Sequence, residues 1–398
     1  MPKILWVSPV SLHDISSGAS LHCRTLLESL SNYGFEIVAL SSFIFEHPLA
    51  RNVAFDNIHT LLEQHPQTNI FELQERKVRY LYVKSSSVVE TARTLDEQNV
   101  FFTCFCDLLE RFKPDMVMGY GKSFDCINCF AEAKRRKIAT VYWLFNNQDY
   151  QYSFPNIDLI LSDSKQTAYN YQVQAHVNVM AAGAFIEPAK VVSNDKDPLF
   201  VTMVNPEFNK GLAIFAKLAH YCKSAMPNLQ FLVINSHCNF VEQINKLHSK
   251  DNVNEHPFSA QDFPNVLMAN ATYDMRLVYE KTKVLAVPLL HYESWTRVAS
   301  EALLNHIPCL GSNVGALNEV VNGGGILLEP PKHCLEDPLS IPSDEEIEPW
   351  FKALEQLLTQ DWSAKTTQAV SNINYEHLCV NLVKLLMPYC KSWLQVRN

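Results

Sequence analysis

"KVLAVPLLHYESWTRVASEALLNHIPCLGS", residues 283–312, reads as strand, loop, helix and strand. The apolar run 283–290 is short enough for a buried parallel strand, and residues 291–295 form the loop that leaves it. Thr296 stands at the N-cap position of a helix that runs to about residue 305, where Pro308 ends it. Glu293 lies in the loop at the carboxyl end of the strand, the edge on which open α/β sheets bind ligands. Glu301 falls about one and a half turns into the helix, which places the two carboxylates about 8 to 12 Å apart. N–H groups at the helix start lie between them and can hold an anion. A ligand with hydroxyls at both ends and phosphate in the middle suits this arrangement, and a sugar nucleotide is such a ligand.

The same alternation extends outward in both directions. Strand "KILWVSP" (3–9), a loop containing Gly18, a helix over 21–34 and strand "FEIVALSS" (35–42) make a βαβ unit. "PDMVMGYG", "IATVYWLF" and "NIDLILSDS" continue the strands as far as residue 164. Between 43 and 100 the pattern weakens, and the stretch reads as a mixed, partly helical insertion. Residues 185–198, with two prolines, three acids and few large apolar side chains, read as a linker. Strand and helix alternation restarts at residue 199. The expected architecture is α/β, two tandem Rossmann-like doubly wound domains facing an interdomain cleft. The boundaries are 1–187, a linker at 188–198, 199–375, and a final helical segment at 376–398 that packs back on the N-terminal domain.

With 47% apolar and 19% charged residues in 398, the chain has enough hydrophobic surface for packed cores and too little charge for disorder. The net charge of −9 gives no footprint for nucleic acid. The basic run Lys134, Arg135, Arg136, Lys137 ends a helical pattern, where cations oppose the helix dipole. The N-terminus reads as a strand rather than a signal peptide, and no apolar run has bilayer-spanning length. The expectation is a cytoplasmic protein with at most peripheral membrane association. Eleven scattered cysteines form no disulfide framework. Cys104, Cys106, Cys126 and Cys129 lie in apolar helical patterns as small core residues, with spacing loose for zinc. Asp195-Lys196-Asp197 spells D-x-D, but no strand delivers it to a site. No G-x-G-x-x-G follows the first strand, which argues against a nicotinamide dehydrogenase.

The stretch from Glu293 to Glu301, "ESWTRVASE", resembles the E-x7-E signature of retaining glycosyltransferases of the large family four, which have the GT-B fold. The continuation "LLNHIPCLGSNVGALNEVV" is similar to that family's usual sequence. "VTMVNPEFNKGLAIFAKLA" resembles the strand, Lys-Gly turn and helix that open its C-terminal domain. "ISSGAS" resembles its N-terminal glycine loop, with Gly18 followed by Ala19 in place of a glycine pair. The likeness is strongest over 199–330.

The resemblance implies a donor that is a UDP- or GDP-sugar and chemistry without a metal or other cofactor. Glu293 is implied as the contact to the transferred sugar's hydroxyls, Glu301 as the contact to the ribose, and Lys210 as the cation that neutralises the diphosphate. Gly18, Asn205, Ser294, Trp295, Thr296 and Arg297 complete the implied donor site. Val204 and Asn205 stand where the family has an Arg, and Arg276 is the candidate substitute. Phe145, Asn146 and Asn147 stand where the family often has a His, and with His13 the two asparagines are candidate sugar or acceptor contacts. The implied acceptor is a small molecule, an oligosaccharide or a peptide. Simpler roles compete at several positions. Trp295 is equally a packing residue, Arg297 is read as pairing with Glu319 or a backbone carbonyl, and His13 suits a satisfied loop. The aromatic run 142–154 is either a stacking surface or a buried strand with its loop.

Overall fold

The computed structural model describes residues 1–46, 68–86, 90–236, 238–272 and 274–390. The chain divides into two compact units, one formed by Met1–Phe185 with the chain from Tyr375 onward, the other by Ile186–Asn374. No helix among the described residues is long and apolar enough to cross a membrane.

Unit 1 holds an eight-stranded sheet. Its strands are β1 (Lys3–Ser8), β2 (Glu36–Ser42), β3 (Ile70–Glu75), β4 (Val78–Val83), β5 (Met116–Gly119), β6 (Ala139–Leu144), β7 (Leu159–Ser162) and β8 (Met180–Ala181). They lie in the order β3-β4-β2-β1-β5-β6-β7-β8, and only the β3–β4 pair is antiparallel. Successive side chains of a strand point to opposite faces, and the two cores follow that period. Ile4, Trp6, Ile37, Ala39, Met116 and Met118 pack with the helix Gly18–Asn32 and with Cys379, Leu382 and Leu386 of the helix Tyr375–Leu386. Leu5, Val7, Val38, Leu40 and Val117 face the helices Leu95–Phe112 and Phe124–Arg135 on the other side.

Unit 2 holds a parallel six-stranded sheet built from β9 (Phe200–Val204), β10 (Gln230–Asn235), β12 (Val266–Asn270), β13 (Thr282–Val287), β14 (Cys309–Ser312) and β15 (Gly325–Leu328). Its order is β12-β10-β9-β13-β14-β15. Val201, Met203, Val284 and Ala286 pack under the helices Leu212–Ala225 and Asp344–Thr359. Leu285, Val287 and Cys309 face the helices Arg297–Leu304 and Leu317–Val321. A separate two-stranded sheet pairs β11 (His248–Ser249) with β16 (Ser340–Ile341).

Several expectations change at this level. The described part of the insertion read between 43 and 100 as mixed and partly helical contains the β3–β4 hairpin and the start of the helix at Leu95. Residues 47–67 and 87–89 of it, and the end of the segment 376–398, lie outside the described residues. The stretch read as a linker is structured and belongs to unit 2. It contains the short helix Pro188–Val191, Ser193 N donates to Asn305 Oδ1 at 2.8 Å, and Lys281 pairs with Asp197 at 2.9 Å. Asp197 of the D-x-D run is thereby tied to a surface lysine.

Candidate active site

β9 and β13 are neighbours, yet the chain leaves them toward opposite edges of the sheet, from β9 to β10 and β12 and from β13 to β14 and β15. Open α/β sheets bind ligands at the carboxyl ends of their strands at such a switch point. Lys210 follows β9 and Glu293 follows β13, so the topology brings together two residues 83 apart in sequence.

Backbone packing fixes both. Lys210 closes the turn Phe208–Lys210, and Gly211 follows with φ of 85°. A Cβ on Gly211 would lie 1.7 Å from the Pro288 carbonyl oxygen. Glycine alone tolerates that φ with no side chain to place, so the turn lies directly against the end of β13. Glu293 is held from the other side by the loop after β14. Ala316 N donates to Glu293 O at 3.0 Å, and a Cβ on Gly315 would lie 2.8 Å from Glu293 N.

The side chains close on one another. The Lys210 ammonium pairs with Glu293 Oε1, and the two side chains keep 30% and 13% exposure, which leaves the pair open to a ligand. Thr296 Oγ1 donates to Glu293 Oε2 at 2.9 Å. His291 places Nε2 3.5 Å from Glu293 Oε1 and Nδ1 2.9 Å from Asn209 O. Thr296 does hold the N-cap position, but its side chain makes no cap bond to the helix; the nearby carboxylate takes the hydroxyl instead.

Other expected site residues are placed differently. Glu301 is turned inward and only 4% exposed. Tyr279 OH donates to its Oε2 at 2.8 Å, and Arg297 Nε stands 2.6 Å from Oε1 one turn back. Both Glu301 oxygens are thus engaged by protein groups. Arg297 therefore pairs with Glu301. Arg276 lies on the surface with its guanidinium on Asp274 at 2.6 Å, and its described bonds do not join the Lys210 cluster. Trp295 takes the packing role, with Nε1 donating to Ser300 Oγ at 2.8 Å and its ring against the Leu285 and Leu303 cluster. Ser294 is buried. Asn205, the residue after β9, lies in the left-handed region, at φ 63°. The sequence reading passed over His291 as a chemical group, though its place two residues before Glu293 was a signal.

In unit 1, Gly18 is the exposed first residue of its helix, with open space around its Cα. His13 is buried, and its Nε2 lies 2.8 Å from Glu75 Oε2. Desolvation lowers its pKa, while the bond to His13, aided by Arg24, holds the Glu75 carboxyl down at about 2. Both ring nitrogens of His13 thus have protein partners, Tyr82 OH and Glu75. Asn146 Oδ1 accepts from Gln148 N at 3.3 Å, and Asn147 Oδ1 is buried with no hydrogen-bond partner among the described residues. Of the run 142–154, Tyr142, Trp143 and Phe154 are buried, which favours a strand and its loop over a stacking surface. Cys104, Cys126 and Cys129 are buried, and burial raises their thiols, Cys104 to about 11.

A buried ion pair and a further buried acid lie close to strands of this sheet. Arg93 donates to both oxygens of Asp125, at 2.6 and 2.8 Å, with both side chains 1% exposed. Asp163, just past β7, accepts from Trp143 Nε1 at 2.6 Å and lies 3.8 Å from His22 Nε2. Desolvation pushes its carboxyl up to about 7. An acid whose folded pKa is raised takes up a proton on folding, so its contribution to stability falls as pH climbs from the unfolded value near 4 to about 7. Asp163→Asn keeps the Trp143 bond and removes the charge. It should stabilise unit 1 at pH 8 by about 2 to 4 kcal/mol, with the gain shrinking toward pH 5. Thermal midpoints at the two pH values check this; equal gains at both would refute it.

No family model matches the chain, and no curated protein matches it. Solved structures do. Sucrose-phosphate synthase from Thermosynechococcus elongatus superposes with a TM-score of 0.62 at 13% identity, covering 97% of this chain and 98% of that one. A glycosyltransferase from Rickettsia africae gives 0.63 at 11% identity, over 98% and 99%. HepE from Anabaena, solved with UDP and glucose, gives 0.62 at 14% identity, over 97% and 99%. The fold is GT-B. At these identities the likeness is one of fold, and it covers both units from end to end.

Proposed function

We propose that the chain is a retaining, metal-independent glycosyltransferase of the family-four kind. It takes a UDP- or GDP-sugar in unit 2 and passes the sugar to a hydroxyl of a small-molecule, oligosaccharide or peptide acceptor bound by unit 1. The observation that carries this reading is the Lys210–Glu293 pair at the switch point between β9 and β13. The complexes of HepE with UDP and with UDP-glucose support a donor of that class.

The geometry suits the chemistry. Breaking the bond from sugar to diphosphate leaves negative charge on a phosphate oxygen. The Lys210 ammonium and the N–H groups opening the helix Arg297–Leu304 stabilise that charge from fixed positions. Glu293 accepts hydrogen bonds from sugar hydroxyls. Without ligand, Lys210 is neutralised by Glu293, so donor binding exchanges one partner of the ammonium for another.

A second reading, a catalytically weak sugar-nucleotide-binding partner subunit, is favoured by the inward Glu301 and by Arg276 resting on Asp274. One experiment separates them. The purified chain is incubated with a panel of UDP- and GDP-sugars, and release of nucleoside diphosphate and the anomeric configuration of the product are followed by NMR. Turnover with retention supports the enzyme. Nucleotide binding without turnover under any acceptor supports the partner subunit, and binding of no nucleotide removes both.

A further inference from the structure

We propose that His291 is a positioning residue for the Lys210–Glu293 pair, and that its protonation sets how strongly the site takes an anionic ligand. The proposal rests on the donor-site reading above and adds to it a residue that the E-x7-E and Lys-Gly signatures do not contain.

The argument begins with donors and acceptors. A carbonyl oxygen can only accept, so His291 Nδ1, 2.9 Å from Asn209 O, carries a hydrogen. In the neutral ring Nε2 is then a bare lone pair facing Glu293 Oε1 at 3.5 Å, an acceptor against an acceptor. Protonation turns that contact into an N–H facing a carboxylate. The imidazolium therefore satisfies both neighbours, whereas the neutral ring satisfies one. The side chain is 40% exposed, so protons exchange freely with solvent.

The charge balance gives the consequence. Among the described residues, Glu293 is the ion-pair partner of His291, and Lys210, on the turn that Glu207 precedes, shares that carboxylate. Arg297 on the following helix is held by Glu301. With His291 neutral, Lys210 and Glu293 sum to zero. With His291 protonated, the three groups carry one net positive charge. A diphosphate that draws the Lys210 ammonium away leaves Glu293 with the Thr296 hydroxyl alone, and the imidazolium then takes over as its cation. His291 Nδ1 and Leu290 N both bond Asn209 O, at 2.9 Å each, so the side chain adds to a backbone tie between the Lys210 turn and the Glu293 loop.

The test is calorimetric titration of the full chain with UDP across about pH 5.5 to 8, the range in which histidines change charge, for wild type, His291→Gln and His291→Asn. The terminal phosphate of UDP titrates in the same range, so the readout is the difference between proteins at each pH. Wild type should bind UDP about three- to tenfold more tightly than either variant at the acid end, with the ratio approaching one at the alkaline end. A ratio independent of pH would overturn the proposal, because a merely structural histidine weakens binding equally throughout. UDP binding by none of the three proteins, at any pH, would instead remove the donor-site reading beneath it. Unchanged thermal midpoints in the two variants confirm that the fold is intact.

Discussion

Lys210→Ala should slow sugar transfer by about 10²- to 10³-fold, the usual cost of deleting one fixed group that stabilises developing charge. The loss should fall on kcat and kcat/KM together, because in the proposed reaction the ammonium matters most when the leaving phosphate gains its charge. Glu293→Gln should give a different signature. It removes the internal partner of Lys210, so UDP should bind more tightly than to wild type while transfer from the sugar donor still falls by a comparable factor. Kinetics paired with UDP titration reads both effects. If Glu293→Gln weakened UDP binding, the pair would not be the competition described above. Both side chains are partly exposed, so neither change should disturb the fold.

The largest stability effect should come from unit 1. Arg93→Ala strands the Asp125 carboxylate in the interior, where the guanidinium now donates to both of its oxygens and also to Ser42 Oγ at 2.7 Å. Breaking a fully buried pair from one side costs about 3–5 kcal/mol, because the remaining charge has neither water nor partner. Removing both charges, in Arg93→Met with Asp125→Leu, should recover most of that loss, since desolvation cancels much of what the intact pair contributes. Urea unfolding of the two variants against wild type checks the ordering. A single variant as stable as the double would mean that water already reaches Asp125.

The frame of the fold was legible because buried parallel strands are short apolar runs, and β1, β5, β6, β9 and β13 all lie within such runs. The hairpin at β3 and β4 was not. Its turn residues, Arg76 and Lys77, have φ of 44° and 70°, and no Asn-Gly or Asp-Gly stands at that turn to announce it. β12 hides for another reason: at the sheet edge it exposes Leu267 and Met268, so its pattern is neither alternating nor wholly apolar. Lys210, implied by the resemblance of its Lys-Gly turn, and Glu293, read from its loop, meet because each follows a strand end, and strand ends at a switch point converge whatever the intervening sequence does. The bond from Tyr279 to Glu301 was not legible, because spacing sets the distance of Glu301 from Glu293 but not which flank of the helix meets Tyr279. That flank depends on the helix Arg276–Lys281, whose packing no local pattern encodes.

The helix Tyr375–Leu386 has a consequence for how the protein is made. It supplies Cys379, Leu382 and Leu386 to the core of unit 1, and Tyr375 OH lies 2.5 Å from Ser29 Oγ, 346 residues earlier. A ribosome must therefore finish the whole of unit 2 before the first core it began can be sealed. During that interval the part of the core that this helix will cover, beside the helix Gly18–Asn32, stays greasy and exposed, a natural client for a chaperone, while unit 2 is free to fold as soon as it emerges.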